Sequence, residues 1–280
     1  MKEEIFPINY FKSVWSPIRA FKNRHQLNWI QLIIVLLFLN GLMTVPVTMN
    51  YTQIEAVSIE NFYPNAIKII DDQTISELRG VHYKNGEMLF DQPFITENNH
   101  GIIAGGLSLE QKEELLKEES YILFERNQLT IKENNQLEAT LLYTKDFSLE
   151  GLSQEKEVVN EISRQWFNQN RIFMVLIFSL MLSVFLFVMQ LLIVFGSALF
   201  LYLTKKSSIT SIETYKESVN FVLNLLTLPT FLVVLLSLVH FDITLMLSFQ
   251  TLGLIVMLLF VFYKTKLNDN NILNTEQVVL

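Results

Sequence analysis

Apolar and polar positions alternate on a coarse scale along this chain. Four long apolar windows stand out: Trp29–Met49, Ile172–Leu203, Val219–Val239 and Ile243–Tyr263. None holds an acidic or basic residue. A helix needs about 20 residues to cross roughly 30 Å of hydrocarbon, so each window is long enough. The second runs for 32 residues, about 48 Å at a helical rise, and must tilt, bend or project. Gly196 is its weakest helical point. The third and fourth windows are joined only by His240, Phe241 and Asp242, which predicts a tight helical hairpin with an ordinary polar turn.

Between the first two windows lie about 120 polar residues whose pattern predicts a small α+β domain. Val81–Lys84 and Glu87–Phe90 flank Asn85-Gly86, a strong hairpin signal. Ser108 and Gln111 have capping-box spacing and predict a helix over Leu109–Glu119. Tyr121–Glu125 and Gln128–Lys132 predict a second hairpin, and Leu137–Tyr143 a further strand. From about Ser153 a helix places Val158, Val159, Ile162 and Trp166 on one stripe and meets no breaker before Ile172. His100–Gly106 is Gly-rich but lacks the Lys-Ser/Thr of a phosphate loop, and reads as a flexible turn.

Ahead of the first window, Ile8, Phe11, Trp15 and Ile18 recur at helical spacing, continued by Phe21. Lys12, Arg19, Lys22 and Arg24 lie beside them. This predicts a basic amphipathic segment in the headgroup plane, divided at Ser16-Pro17, where Ser16 suits a cap and Pro17 the first helical turn.

Charge orients the scheme. Residues 1–28 hold five Lys and Arg against two acids, whereas Asn50–Arg171 holds 11 against 21, a net of −10. Lys205, Lys206 and Lys216 lie in the second polar segment, and Lys264 and Lys266 begin the tail. Basic residues favour the cytoplasmic side. The expected fold class is therefore an α-helical integral membrane protein with four transmembrane helices and an extracytoplasmic α+β domain between helices 1 and 2. Its divisions are a cytoplasmic segment 1–28, helix 29–49, the domain 50–171, helix 172–203, a cytoplasmic loop 204–218, the hairpin 219–263 and a cytoplasmic tail 264–280. Leu267–Leu280 reads as disordered. The end of the first window has no Ala-x-Ala-like site, so it is expected to stay as an anchor.

Candidate chemistry is sparse. The absence of cysteine excludes disulfides, thiolate metal sites and a Cys nucleophile. Glu113, Glu114, Glu118 and Glu119 read as a solvated helix face. No acid, base and nucleophile converge, so no enzyme, cofactor or metal is expected, and no basic aromatic-laced patch points to nucleic acid. Gln190, Asn224, Asn40, Ser237 and Gln250 fall within apolar windows, where polar groups usually bond across helices. Pro229 frees a carbonyl near Leu225, which Asn224 is placed to satisfy. Tyr215 and Lys216 suit an aromatic and a basic anchor at the interface.

Several segments together resemble the MalA-like family of Gram-positive membrane proteins, named for maltodextrin (maltodextrose) utilisation. They are Phe11-Lys12-Ser13-Val14-Trp15-Ser16-Pro17, Lys84-Asn85-Gly86-Glu87-Met88, and Thr214–Ser218 followed by Leu226-Thr227-Leu228-Pro229. The membrane part distantly resembles the Yip family of small multispan proteins, with a Pro-containing segment before the first span. The resemblance implies a link to maltodextrin uptake and carries over no catalytic residue. It points to a non-enzymatic accessory or sensor protein of the cell membrane, partnered by lipid and by another membrane protein such as a sugar importer. The alternative is a transport or lipid-handling component that acts as a homo-oligomer, with Gln190 on its polar path.

Overall fold

The structure is a computed structural model and describes residues 5–206 and 210–271. It divides into two compact units: residues 1–53 with 175–280, and residues 54–174.

The first unit is helical. Two short helices, α1 (Ile8–Val14) and α2 (Pro17–Lys22), precede α3 (Trp29–Thr52). Pro17 opens α2 as expected, but the Ser16 side chain makes no capping bond. Asn28 and Gln31 form a capping box that fixes the start of α3. Among the described residues, four helices are long and apolar enough to cross a membrane: α3, α6 (Glu155–Leu203), α7 (Tyr215–Val239) and α8 (Ile243–Thr265). Thr214 and Asp242 cap the N-termini of α7 and α8 through their side chains. Gly253 of α8 lies against Pro229 of α7, where an added Cβ would come within 2.6 Å of the proline Cβ. The absence of a side chain at Gly253 is what lets the two helices close at that level.

The α+β unit begins with short 3-10 turns, followed by α4 (Asp72–Leu78) and a hairpin of β1 (Val81–Lys84) and β2 (Glu87–Phe90). Asn85 and Gly86 both have positive φ, as a primed hairpin turn requires. A Cβ on Gly86 would lie 2.3 Å from the Thr144 carbonyl oxygen, so this turn needs glycine for space as well as for φ. Next come β3 (Phe94–Asn98), β4 (Gly101–Gly105), α5 (Leu109–Leu115), β5 (Tyr121–Phe124), β6 (Gln128–Lys132) and β7 (Ala139–Leu142). These five strands form one sheet in chain order, antiparallel except for the parallel β4–β5 pair, whose connection carries α5. The capping box at Ser108 is present, but α5 stops at Leu115, short of the expected Glu119.

The Gly-rich stretch is not a flexible turn. Gly101–Gly105 is an inner strand, hydrogen-bonded on both sides. The first part of α6 completes the unit. Val158, Val159, Ile162 and Trp166 are buried, as their spacing predicts, and the Trp166 ring lies 4.6 Å from that of Phe62. One turn apart on the same helix, Gln165 accepts from Thr144 N, while Gln169 accepts from Leu142 N and donates to the Thr140 carbonyl. The free edge of β7 is thereby supplied with partners that an edge strand otherwise lacks.

Candidate functional site

In the helical unit, α7 is buried on every side from Glu217 to Thr227. One of its faces is polar. Glu217, Asn220, Asn224 and Thr227 recur at spacings of three and four, which aligns them on one stripe. Three of them meet the N-terminal segment. Thr227 hydrogen-bonds the Tyr10 hydroxyl, Asn224 donates to the Ala20 carbonyl at 3.2 Å, and Glu217 lies 3.5 Å from Arg24 Nε and 3.6 Å from His25 Nδ1. The short helices therefore dock on α7 through polar contacts.

That docking uses the side of the short helices opposite most of the expected apolar stripe. Ile8, Phe11 and Trp15 are exposed, and Ile18 is only partly buried. Tyr10, Val14, Ala20 and Phe21 form the packed side, with the Phe21 ring 5.2 Å from Phe221. Only Phe21 of the expected stripe is fully buried.

Arg24 ties four pieces of chain together. Its Nη1 donates to the Phe21 carbonyl and to Asp269 Oδ1, and its Nη2 donates to the Ser211 carbonyl and to Asp269 Oδ2. Its side chain is 2% exposed. Taking a cation out of water costs several kcal/mol, at least roughly, and two carboxylates and two carbonyls offset that here. The tail is correspondingly ordered where it is described. Leu267 is buried, its carbonyl accepts from Ser211 N, and Asp269 N donates to Ser211 Oγ. This corrects the expectation of disorder from Leu267 onward; residues 272–280 of that stretch lie outside the described residues.

The remaining candidates separate. Asn224 serves Ala20 and does not satisfy the carbonyl freed by Pro229. Gln250 donates to Thr230 across the α7–α8 hairpin, and Asn40 donates to Ser183 across α3 and α6, as interhelical groups should. Gln190 does not follow suit: it is 1% exposed, and among the described residues neither its amide oxygen nor its amide nitrogen has a hydrogen-bond partner, nor do those of Asn220. Tyr215 links two helices. Its hydroxyl donates to the Phe195 carbonyl at 3.0 Å, and its ring packs 6.0 Å from that of Tyr202, joining α7 to α6. Lys216 lies beside it, partly exposed in the first turn of α7.

The α+β unit holds a cleft of about 350 Å³. Its apolar wall is Met88, Phe90 and Leu107, and its polar rim is Lys112, Glu125 and Arg126. Two ion pairs set the rim: Lys112 Nζ to Glu125 Oε1 at 2.5 Å, and Arg126 Nη2 to Glu87 Oε2 at 2.9 Å. Gln128 also donates to Glu125 Oε2 at 2.7 Å. Burial pushes the Glu125 carboxyl up, but the hydrogen bonds from Lys112 and Gln128 outweigh it and hold the group below its ordinary range. Met88 N donates to the Arg126 carbonyl, which fastens the β1–β2 hairpin to the β5–β6 turn. Phe90 is seated on two glycines. A Cβ on Gly105 or Gly106 would come within 2.7 Å of Phe90 atoms. Sequence reasoning missed this cleft; the Gly105-Gly106 pair was its one local signal.

Over 267 residues, 95% of this chain and 98% of its counterpart, the sequence is 29% identical to the maltodextrose utilization protein MalA of Streptococcus pneumoniae. Over 282 residues, 97% of this chain and 94% of the other, it is 26% identical to YvdJ of Bacillus subtilis, a protein named for maltodextrin utilization. No family model matches, and no solved structure matches. The resemblance carried by the short motifs thus extends over nearly the full length of these relatives.

Proposed function

We propose that this homologue of the Gram-positive maltodextrin-utilisation proteins is a non-enzymatic accessory protein of maltodextrin uptake. It sits in the cell membrane through α3, α6, α7 and α8, with both termini in the cytoplasm and the α+β unit outside. The observation that carries the reading is the likeness to two proteins named for that sugar over at least 95% of this chain. The charge pattern supports the orientation, since the acidic stretch falls between the first two apolar helices and the basic clusters outside it. In this reading the α+β unit senses or binds an extracytoplasmic ligand, and the lipid-facing helices dock on another membrane protein such as a sugar importer.

Deletion of the gene in its own host tests the link. Growth on maltodextrin and uptake of labelled maltotetraose should fall, while growth on glucose stays normal. Unchanged uptake and growth would remove the maltodextrin role. The alternative, an oligomeric transport or lipid-handling component, draws on the buried Gln190 amide, which has no partner among the described residues. It requires Gln190→Leu to lose activity while keeping expression and assembly.

A further inference from the structure

We propose that the cleft between the β1–β2 hairpin and α5 is a binding site for a neutral oligosaccharide, specifically a maltodextrin segment. This rests on the maltodextrin reading above and deepens it by assigning the ligand to a place on the chain.

Charge balance selects the ligand class. The cleft and its rim hold two cations, Lys112 and Arg126, and each is already paired with a carboxylate, Glu125 and Glu87. The site has no net charge to offer an ion. The surrounding stretch, Asn50–Arg171, has a net charge of −10, which repels anions. A neutral polar molecule meets neither obstacle.

Hydrogen-bonding capacity fits the same class. Each sugar hydroxyl donates and accepts, so a sugar site needs fixed groups of both kinds. A carboxylate has about four lone-pair positions. Glu125 uses one oxygen for Lys112 and the other for Gln128, which leaves acceptor capacity on both. An ammonium has about three donors and a guanidinium about five. Lys112 gives one to Glu125, and Arg126 gives Nε and Nη2 to Glu87. The remaining donors and acceptors are held in place by those ion pairs, so their geometry exists before a ligand arrives.

The wall supplies the other half of sugar recognition. A pyranose ring presents C–H groups on its faces, and these pack against apolar and aromatic surface. Phe90 and Leu107, both partly exposed, form that surface, with buried Met88 behind them. Gly105 and Gly106 leave the Phe90 ring no side chain to displace it on that side, so the platform is fixed by backbone contact. The volume, about 350 Å³, lies at the small end of ligand pockets, which suits a short stretch of an oligosaccharide whose ends extend into solvent.

The test is calorimetric titration of maltotetraose into the full-length protein in lipid nanodiscs. Maltoside detergents must be avoided, because their headgroup is a maltodextrin fragment and would compete. Wild type should bind saturably. Arg126→Ala should weaken binding roughly ten-fold, as loss of a charged hydrogen-bond donor does. Phe90→Ala should abolish it. Arg126 is largely exposed, so its variant folds even if Phe90→Ala does not. No saturable binding by wild type, or equal binding by wild type and Arg126→Ala, would overturn the site. The broader reading fails separately. If the deletion strain loses growth on maltodextrin and Arg126→Ala restores it fully, the cleft is wrong and the maltodextrin role stands. If the deletion strain grows normally while maltotetraose binds the cleft, the role is wrong and the site stands.

Discussion

Arg24 and Asp269, 245 residues apart in the chain, form a two-pronged ion pair, with Nη1 2.9 Å from Oδ1 and Nη2 2.7 Å from Oδ2. The pair is lopsided: the Arg24 side chain is 2% exposed and that of Asp269 51%. Removing either partner therefore has a different cost. Without Arg24, buried Glu217 loses its one buried cation and keeps the hydrogen bonds from Glu213 N and Thr214 Oγ1 and the exposed His25, whereas without Asp269 the guanidinium still has Glu217 nearby.

Arg24→Met should destabilise the helical unit by about 3 kcal/mol, the scale for breaking a buried pair. Asp269→Asn should cost about 1 kcal/mol, since a neutral acceptor remains and the position is half in water. Thermal unfolding in nanodiscs checks the ranking. Equal melting temperatures for the two variants would show that the buried side of the pair carries no extra weight.

The Gly253–Pro229 contact gives a second test. Gly253→Leu forces a side chain into a 2.6 Å gap and should cost about 1–3 kcal/mol by overpacking. Gly196, which an added Cβ would leave free of any contact within 4 Å, should tolerate Ala and gain up to about 1 kcal/mol of helix propensity. Similar melting temperatures for Gly253→Leu and Gly196→Ala would mean that α7 and α8 do not close at Pro229.

What the sequence shows and hides follows from the range of each interaction. The Asn85-Gly86 hairpin, the Ser108 capping box and the four apolar helices are set by neighbours a few residues away, and all were legible. β4 was not. Its glycines argue against a strand, and its pairing with β5 comes through a parallel connection that only the folded sheet reveals. Arg24 read as one of several basic flanking residues, because Ser211, Glu217 and Asp269, its partners, lie 187 or more positions away. The side of the N-terminal helices that packs on protein was hidden for a related reason. Both sides of α1 and α2 carry apolar residues, and the polar stripe on α7 decides which side docks.

A pH prediction comes from Asp146. The Thr144 hydroxyl and then the Arg164 guanidinium donate to its carboxylate and hold its pKa at about 2, below the ordinary 3.8. A depressed pKa in the folded state contributes stability that is present above the unfolded value and lost as pH falls through the folded one. The loss therefore falls between about pH 4 and pH 2. Because the Asp146 side chain is 65% exposed, solvent screens the contribution and its size is small. The melting temperature of wild type should fall more steeply over that window than that of Asp146→Asn. Parallel curves would show that the Thr144 and Arg164 contacts do not persist in solution.

Maltodextrin sensing requires the α+β unit to face outward, and the absence of cysteine makes that directly measurable. Single cysteines at Asn99 and Asn135, both exposed in the α+β unit, and at Lys205, exposed after α6, report the two sides. In intact cells an impermeant thiol reagent should label the first two and spare the third, which should react only after the membrane is opened. Labelling at Lys205 with protection at Asn99 and Asn135 would reverse the orientation and contradict a maltodextrin-facing domain.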